Sequence, residues 1–191
     1  MISSESSAGP APTVYPTLRT RRLVLRAFEP ADAPVVQRLA GAAAVADTTL
    51  NVPHPYPDGA AEAWIQSHAP AWARRTSVCF AITEEGELRG AISFSLSAQH
   101  QLAELGYWIG EAYWGRGLAT EAARAVVDFA FEVCRVNRVQ ALHYARNPAS
   151  GRVLEKVGMV REGVHRERIR KGDRFEDVVE CAILRRDWRK Q

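Results

Sequence analysis

The stretch Leu105-Gly106-Tyr107-Trp108-Ile109-Gly110-Glu111-Ala112-Tyr113-Trp114-Gly115-Arg116-Gly117-Leu118-Ala119-Thr120 holds the residues best placed for chemistry. A strand-like run enters a glycine-rich turn that opens directly onto a helix. The unpaired N–H groups of that turn therefore converge with the positive end of the helix dipole, and such a point binds anions. Gly115 and Gly117 let the backbone approach a ligand with no Cβ in the way, and Arg116 adds a positive charge. The same glycines also suit a plain tight turn before a helix. A nucleoside-triphosphate loop is disfavoured because no Gly-Lys-Ser or Gly-Lys-Thr follows. A dinucleotide fingerprint is disfavoured because Thr120 stands where its third glycine belongs.

Two further groups stand out. Glu104 is an acidic residue inside the apolar run 102–107, where desolvation would make its carboxylate a stronger base; an ordinary solvated strand glutamate is the other reading. In Asn147-Pro148-Ala149-Ser150, Asn-Pro makes a turn and Ser150 is placed to cap a helix. Cys79, Cys134 and Cys181 are odd in number and lie in apolar runs, so they read as small core residues in a reducing compartment, with no disulfide framework and no zinc site.

Residues 20–28 alternate as a first strand, and Pro30 and Asp32 open a helical stretch with Val35, Val36 and Leu39 on one face. Three prolines in five residues make 48–59 a long loop, which Ala61, Trp64, Ile65 and His68 follow as a second amphipathic helix. Residues 77–83, 88–96 and 102–109 form an antiparallel meander. The spacing of Ala123, Val126, Val127, Ala130 and Cys134 predicts a helix over 120–134 packed on a sheet. Residues 139–145 return to strand, 150–157 form a short helix closed by Gly158, and 159–164 and 175–184 flank a turn at 171–173. One mixed α/β domain follows from this order, a central and mostly antiparallel sheet flanked by helices.

The chain has 191 residues, 47% hydrophobic and 25% charged, enough to bury a substantial core unaided. Its 25 basic and 22 acidic side chains are too evenly matched to spread a phosphate-binding field over a face, so nucleic acid is disfavoured as a partner, although 161–174 is locally basic. The first residues lack the pattern of a signal peptide, and no run approaches 18 uncharged apolar residues. A cytoplasmic protein with no membrane partner and a flexible segment at 1–17 is expected.

The word Trp114-Gly115-Arg116-Gly117-Leu118-Ala119 resembles the acyl-CoA pyrophosphate loop of the GNAT N-acetyltransferase superfamily: Gln or Arg, two residues, Gly, one residue, Gly or Ala. Trp114 replaces the usual Gln or Arg, while Gly117 and Ala119 match. The words YWGRGLATEA, NPASGRVLEKVGM, TRRLVLRAF and DRFEDVVECAILRRDW are similar to the branch containing the ribosomal-protein N-terminal acetyltransferases RimJ and RimL. The likeness runs from about Leu18 to Trp188, so a single GNAT-like domain is expected over 18–191.

The resemblance implies acetyl-CoA as cosubstrate, no metal, and an amine acceptor, either a peptide N-terminus or a small molecule, in a monomer or homodimer. In the loop Trp114 to Thr120, the N–H groups from Arg116 onward would hold the CoA pyrophosphate. Strand Tyr107, Trp108 and Ile109 would pair with the pantetheine arm, a Trp108 N–H holding the oxyanion. Asn147 would bond a pantetheine amide, Ser150 would protonate the leaving thiolate, Glu104 would act as general base, and Arg152, with Lys156, would reach the 3′-phosphate. Tyr56, His54 and Trp64 lie in or beside a loop that often walls the acceptor site, and His54 carries no catalytic role. A CoA-binding sensor without transfer, or a nucleotide-binding regulator, are the competing functional classes.

Overall fold

The computed structural model describes residues 14–189. Strand β1 (Leu18–Arg19) and β2 (Leu23–Arg26) lead through a 3-10 turn (Pro30–Asp32) into three helices, α1 (Ala33–Ala40), α2 (Ala43–Thr48) and α3 (Ala60–Ala73). The meander follows as β3 (Ser77–Glu84), β4 (Glu87–Ser97) and β5 (Leu102–Ile109). The chain then runs through α4 (Leu118–Glu132), β6 (Arg138–Tyr144) and α5 (Pro148–Lys156) to the hairpin β7 (Val160–Lys171) and β8 (Arg174–Leu184). All eight strands form one sheet in the order β1-β2-β3-β4-β5-β6-β8-β7, and β5–β6 is its one parallel pair. The expected mixed fold is therefore the observed one.

Two cores lie on opposite faces of this sheet. The larger packs α4 and α5 against Leu105, Ile109, Val139 and Ala141, with Ala123, Val126, Val127 and Ala130 of α4 buried as their spacing predicts. The smaller packs α1 and α3 against Cys79, Ala81, Ala91 and Trp108. Strand alternation decides which residue of β5 meets which face: Ala103, Leu105, Tyr107 and Ile109 point to α4 and α5, whereas Glu104, Gly106 and Trp108 belong to the α1–α3 face.

Three elements depart from the sequence reading. Helix α2 occupies the Ala-rich stretch before the prolines, so the loop starts at Thr49, one residue later than expected. Helix α5 begins at Pro148 with Asn147 as its cap: Asn147 Oδ1 accepts the Ser150 N–H at 3.2 Å, so Asn147 and not Ser150 performs the capping. Within the segment 1–17, residues 1–13 lie outside the described residues, but Tyr15 is anchored, its hydroxyl accepting from Cys79 N–H and donating to Cys79 C=O while its ring packs on Trp72 and Phe80.

Candidate active site

The site begins where β5 and β6 part. Their parallel ladder covers four pairs, Leu102–Arg138 to Leu105–Ala141, and stops, although both strands continue. On its other side β5 stays paired with β4 along its whole length. Gly110 N–H donates to Arg89 C=O at 2.9 Å, and alternation from there makes Trp108–Ala91 and Gly106–Ser93 the mutually bonded pairs. The Trp108 amide is thus spent on β4. This corrects the expectation that it holds the oxyanion: the β5 groups facing the gap are the N–H and C=O of Tyr107 and the N–H of Ile109. The Ile109 C=O accepts from the Trp114 indole at 2.7 Å.

A cavity of about 560 Å³ runs from the α3 face into this gap, the size of a typical small-ligand site. Its walls include Tyr56, Trp64 and His68, the loop from Thr48 to Pro53, Glu104 to Trp108, His143 and Ser150. Glu104 is half-buried on the α3 face and accepts from Gln140 Nε2 at 2.9 Å. Ser150 approaches from the opposite face, its hydroxyl 2.8 Å from the Tyr107 phenol. Burial pushes the Tyr107 phenol up to about 12, so it stays protonated at neutral pH even though its contact with Ser150 works the other way.

Beyond Ile109 the chain turns through Glu111–Tyr113 into the loop. Gly115 and Gly117 sit at φ 76° and 80°, the left-handed region that L side chains disfavour, and Gly117 is the residue before α4. The N–H groups of Arg116 to Thr120 have no intramolecular acceptor among the described residues. Arg22, which sequence reasoning missed, grips the loop from its carbonyl side: Nη1 donates to Arg116 C=O at 3.1 Å while Nε pairs with Glu121 at 2.7 Å. Burial opposes ionisation of Glu121, but hydrogen bonds from Thr20 and Arg22 hold its carboxyl below the usual range. The Arg116 guanidinium pairs at 2.8 Å with buried Glu84, which Arg89 also approaches, so the loop's own cation is held against a carboxylate of the protein.

Several predicted residues meet and others do not. Asn147 has Oδ1 committed to the Ser150 amide, and its Nδ2 lies 3.5 Å from Thr48 C=O, which leaves it only a donor for any ligand. Arg152 and Lys156 are exposed on α5, and Lys156 lines a second cavity together with Gly117, Thr120 and Arg124 at the start of α4. His54 is exposed with Nδ1 against Gly41 C=O at 3.0 Å. His68, expected on the inner face of its helix, is buried on the cavity wall, and so is His143, which was missed because a lone histidine in a strand carries no spacing signal. No group of metal-ligating side chains occurs among the described residues, and none of their helices is long and apolar enough to cross a membrane.

With this geometry in view, residues 22–160 match the family model described as an acetyltransferase (GNAT) domain. YdaF of Bacillus subtilis strain 168, provisionally named a ribosomal N-acetyltransferase, is 30% identical over 133 residues, 67% of this chain and 73% of its own. The ribosomal-protein-serine acetyltransferase of Escherichia coli K12 is 28% identical over 115 residues, 60% of this chain and 64% of its own. Mycobacterium smegmatis RimJ, solved in complex with CoA-disulfide, shares the fold with a TM-score of 0.82 at 21% identity, covering 92% of this chain and 90% of that one. The chain belongs to the GNAT acetyltransferase family, in its RimJ/RimL-like branch, and is an acetyltransferase that draws on acetyl-CoA.

Proposed function

We propose that this enzyme moves the acetyl group of acetyl-CoA onto a primary amine, an N-terminal α-amine of a protein or a small-molecule amine of similar basicity, by direct attack. The observation that carries this reading is the interrupted ladder, with an acid on one face of the gap and a hydroxyl pair on the other. The diphosphate sits on the N–H groups of Arg116 to Thr120 at the start of α4, with Trp114 and Gly115 shaping the approach. The pantetheine arm pairs with Tyr107 and Ile109 in the way an added strand would, and Asn147 Nδ2 donates to one of its carbonyls. Arg152 takes the exposed end of CoA.

With the Trp108 N–H engaged, the Tyr107 N–H is the donor to the developing oxyanion; losing such a donor typically costs about 2.7–4 kcal/mol. The amine enters from the α3 face, Glu104 removes its proton through a water, and Ser150 protonates the departing thiolate. Freeing the amine of its proton at pH 7 costs about 1 kcal/mol for an α-amino group and about 4.6 kcal/mol for a lysine side chain. A single half-buried glutamate suits the first. A protein acceptor is in keeping with the names of two curated relatives, one given as a ribosomal N-acetyltransferase and the other as a ribosomal-protein-serine acetyltransferase.

A thiol-release screen with acetyl-CoA against peptides with free N-termini, N-blocked lysine peptides, polyamines and aminoglycosides tests the reading. Faster turnover with α-amines or small amines supports it. A lysine side chain as the best acceptor overturns the acceptor assignment, and no thiol release with any amine overturns the transfer itself.

A further inference from the structure

His143 sits in the gap with one ring nitrogen already assigned. The side chain is 9% exposed, and Nδ1 lies 2.8 Å from Tyr144 C=O, which can only accept. The proton is therefore on Nδ1, and in the neutral ring Nε2 carries a lone pair. No described residue donates to that lone pair, although the ring lines the cavity. Nε2 itself keeps an opening onto the cavity, where the N–H of a ligand can reach it.

Its position is set by the sheet and by α5. His143 alternates with Val139 and Ala141, which pack toward α4, so its ring emerges on the face that also holds Tyr107 and Ser150. There it rests on Gly151: a Cβ at 151 would stand 3.0 Å from His143 Nε2 and 3.2 Å from Cε1. Gly151 thus leaves room for the imidazole beside the first turn of α5, next to the residue proposed to meet the sulfur. Around the gap on this face, Tyr107 and Ser150 bond each other, and Asn147 has only N–H left to offer.

We infer that His143 Nε2 accepts the N–H of the pantetheine amide next to the thioester, and so holds the acyl arm at the mouth of the gap. This rests on the acetyl-CoA placement proposed above. That arm carries secondary amides, each with a donor and an acceptor; Asn147 serves the acceptor and His143 serves the donor. The amine substrate, entering from the Glu104 face, does not meet His143.

The test is calorimetry on the full chain with CoA and with a CoA analogue whose cysteamine amide N–H is replaced by an ester oxygen. The wild type should bind the ester analogue about tenfold more weakly. His143→Leu should bind CoA weakly to a similar degree and no longer distinguish the two ligands, while His143→Gln, which returns an acceptor near the Nε2 position, should recover part of the difference. A Leu variant that binds CoA as the wild type does, or that keeps the full amide-to-ester difference, overturns the inference. Should His143→Leu not fold, Gly151→Ala displaces the ring instead, and an unchanged amide-to-ester difference there overturns it equally. If the wild type binds neither ligand, the acetyl-CoA placement falls and this inference with it; CoA binding indifferent to both variants removes the inference alone.

Discussion

The Tyr107 hydroxyl lies 2.8 Å from Ser150 Oγ, joining the strand that walks along the gap to the helix that faces it. Since burial keeps the phenol protonated, Tyr107 can donate to Ser150 and leave the serine hydrogen for the sulfur. Ser150→Ala should lower kcat on the order of 100-fold, the size of general-acid assistance, with the KM for acetyl-CoA changed little more than twofold. Tyr107→Phe should cost about tenfold in kcat. Steady-state thiol release measures both, and a Ser150→Ala enzyme of normal kcat removes the acid role.

Glu104 accepts from Gln140 and faces the α3 side, the proposed entry of the amine. Glu104→Gln should cut kcat/KM about 100-fold at pH 7 and recover as the pH approaches the pKa of the acceptor amine, where the free base no longer needs a proton acceptor. A pH profile from 6.5 to 9.5 follows this. A deficit that stays constant across the range assigns Glu104 a role other than base.

Gly117 has a left-handed φ of 80° and open space around its Cβ position, with Arg22 Nη2 at 3.6 Å as the nearest atom. Conformation rather than crowding requires glycine here. Gly117→Ala should cost about 1 kcal/mol of stability and raise the KM for acetyl-CoA severalfold, because the strain turns the adjacent amides. Gly117→Asn, which tolerates this region better, should fall between Ala and the wild type in melts and in KM.

Lys171, at the end of β7, donates from Nζ to Thr49 and Val52 C=O at 3.0 Å each, pinning the loop that walls the cavity on the side proposed for the acceptor. Lys171→Met should raise the KM for the amine severalfold and leave the KM for acetyl-CoA unchanged. Equal effects on both substrates would show that the loop does not set acceptor binding.

Both ring nitrogens of His68 are buried without a hydrogen bond, the ring lying between Phe28 and Trp64, and burial pulls its pKa down to about 4. The unfolded chain binds this proton near pH 6.5 and the folded one only near 4, so stability is full above 6.5 and declines as the pH falls through that window. Thermal melts should lose stability between pH 6.5 and 4, amounting to a few kcal/mol at most, and His68→Leu should flatten that slope. An unchanged slope in the variant would place the proton uptake elsewhere.

The elements that carry a strong period or a chemical word were readable in advance. Helix α4 announced itself through Ala123, Val126, Val127 and Ala130, and the glycine loop through its place between a strand and that helix. Helix α2 did not, because six residues rich in alanine hold too few apolar contrasts to register a period. The Trp108 misassignment has a different cause. Residue types and alternation reveal that 102–109 is a strand, but which amides face which neighbour depends on hydrogen-bond parity with β4, which for Trp108 is set by its pairing with Ala91. Arg22 and Lys171 were invisible for a related reason: each acts on a segment far along the chain.

The short ladder between β5 and β6 divides the sheet into two lobes, five strands on one side and three on the other. Besides the four residue pairs, the lobes are tied by Gln101 C=O, which accepts from the Asn137 and Arg138 N–H groups, by the Glu104–Gln140 bond and by the ion pair of Arg146 with Asp47. A cosubstrate lying along the exposed margin of β5 would act as a splint across that seam, so occupancy and mechanical rigidity would rise together, and the acceptor's wall, fastened to the three-stranded lobe through Lys171 and Tyr144, would firm up only after the first substrate is seated.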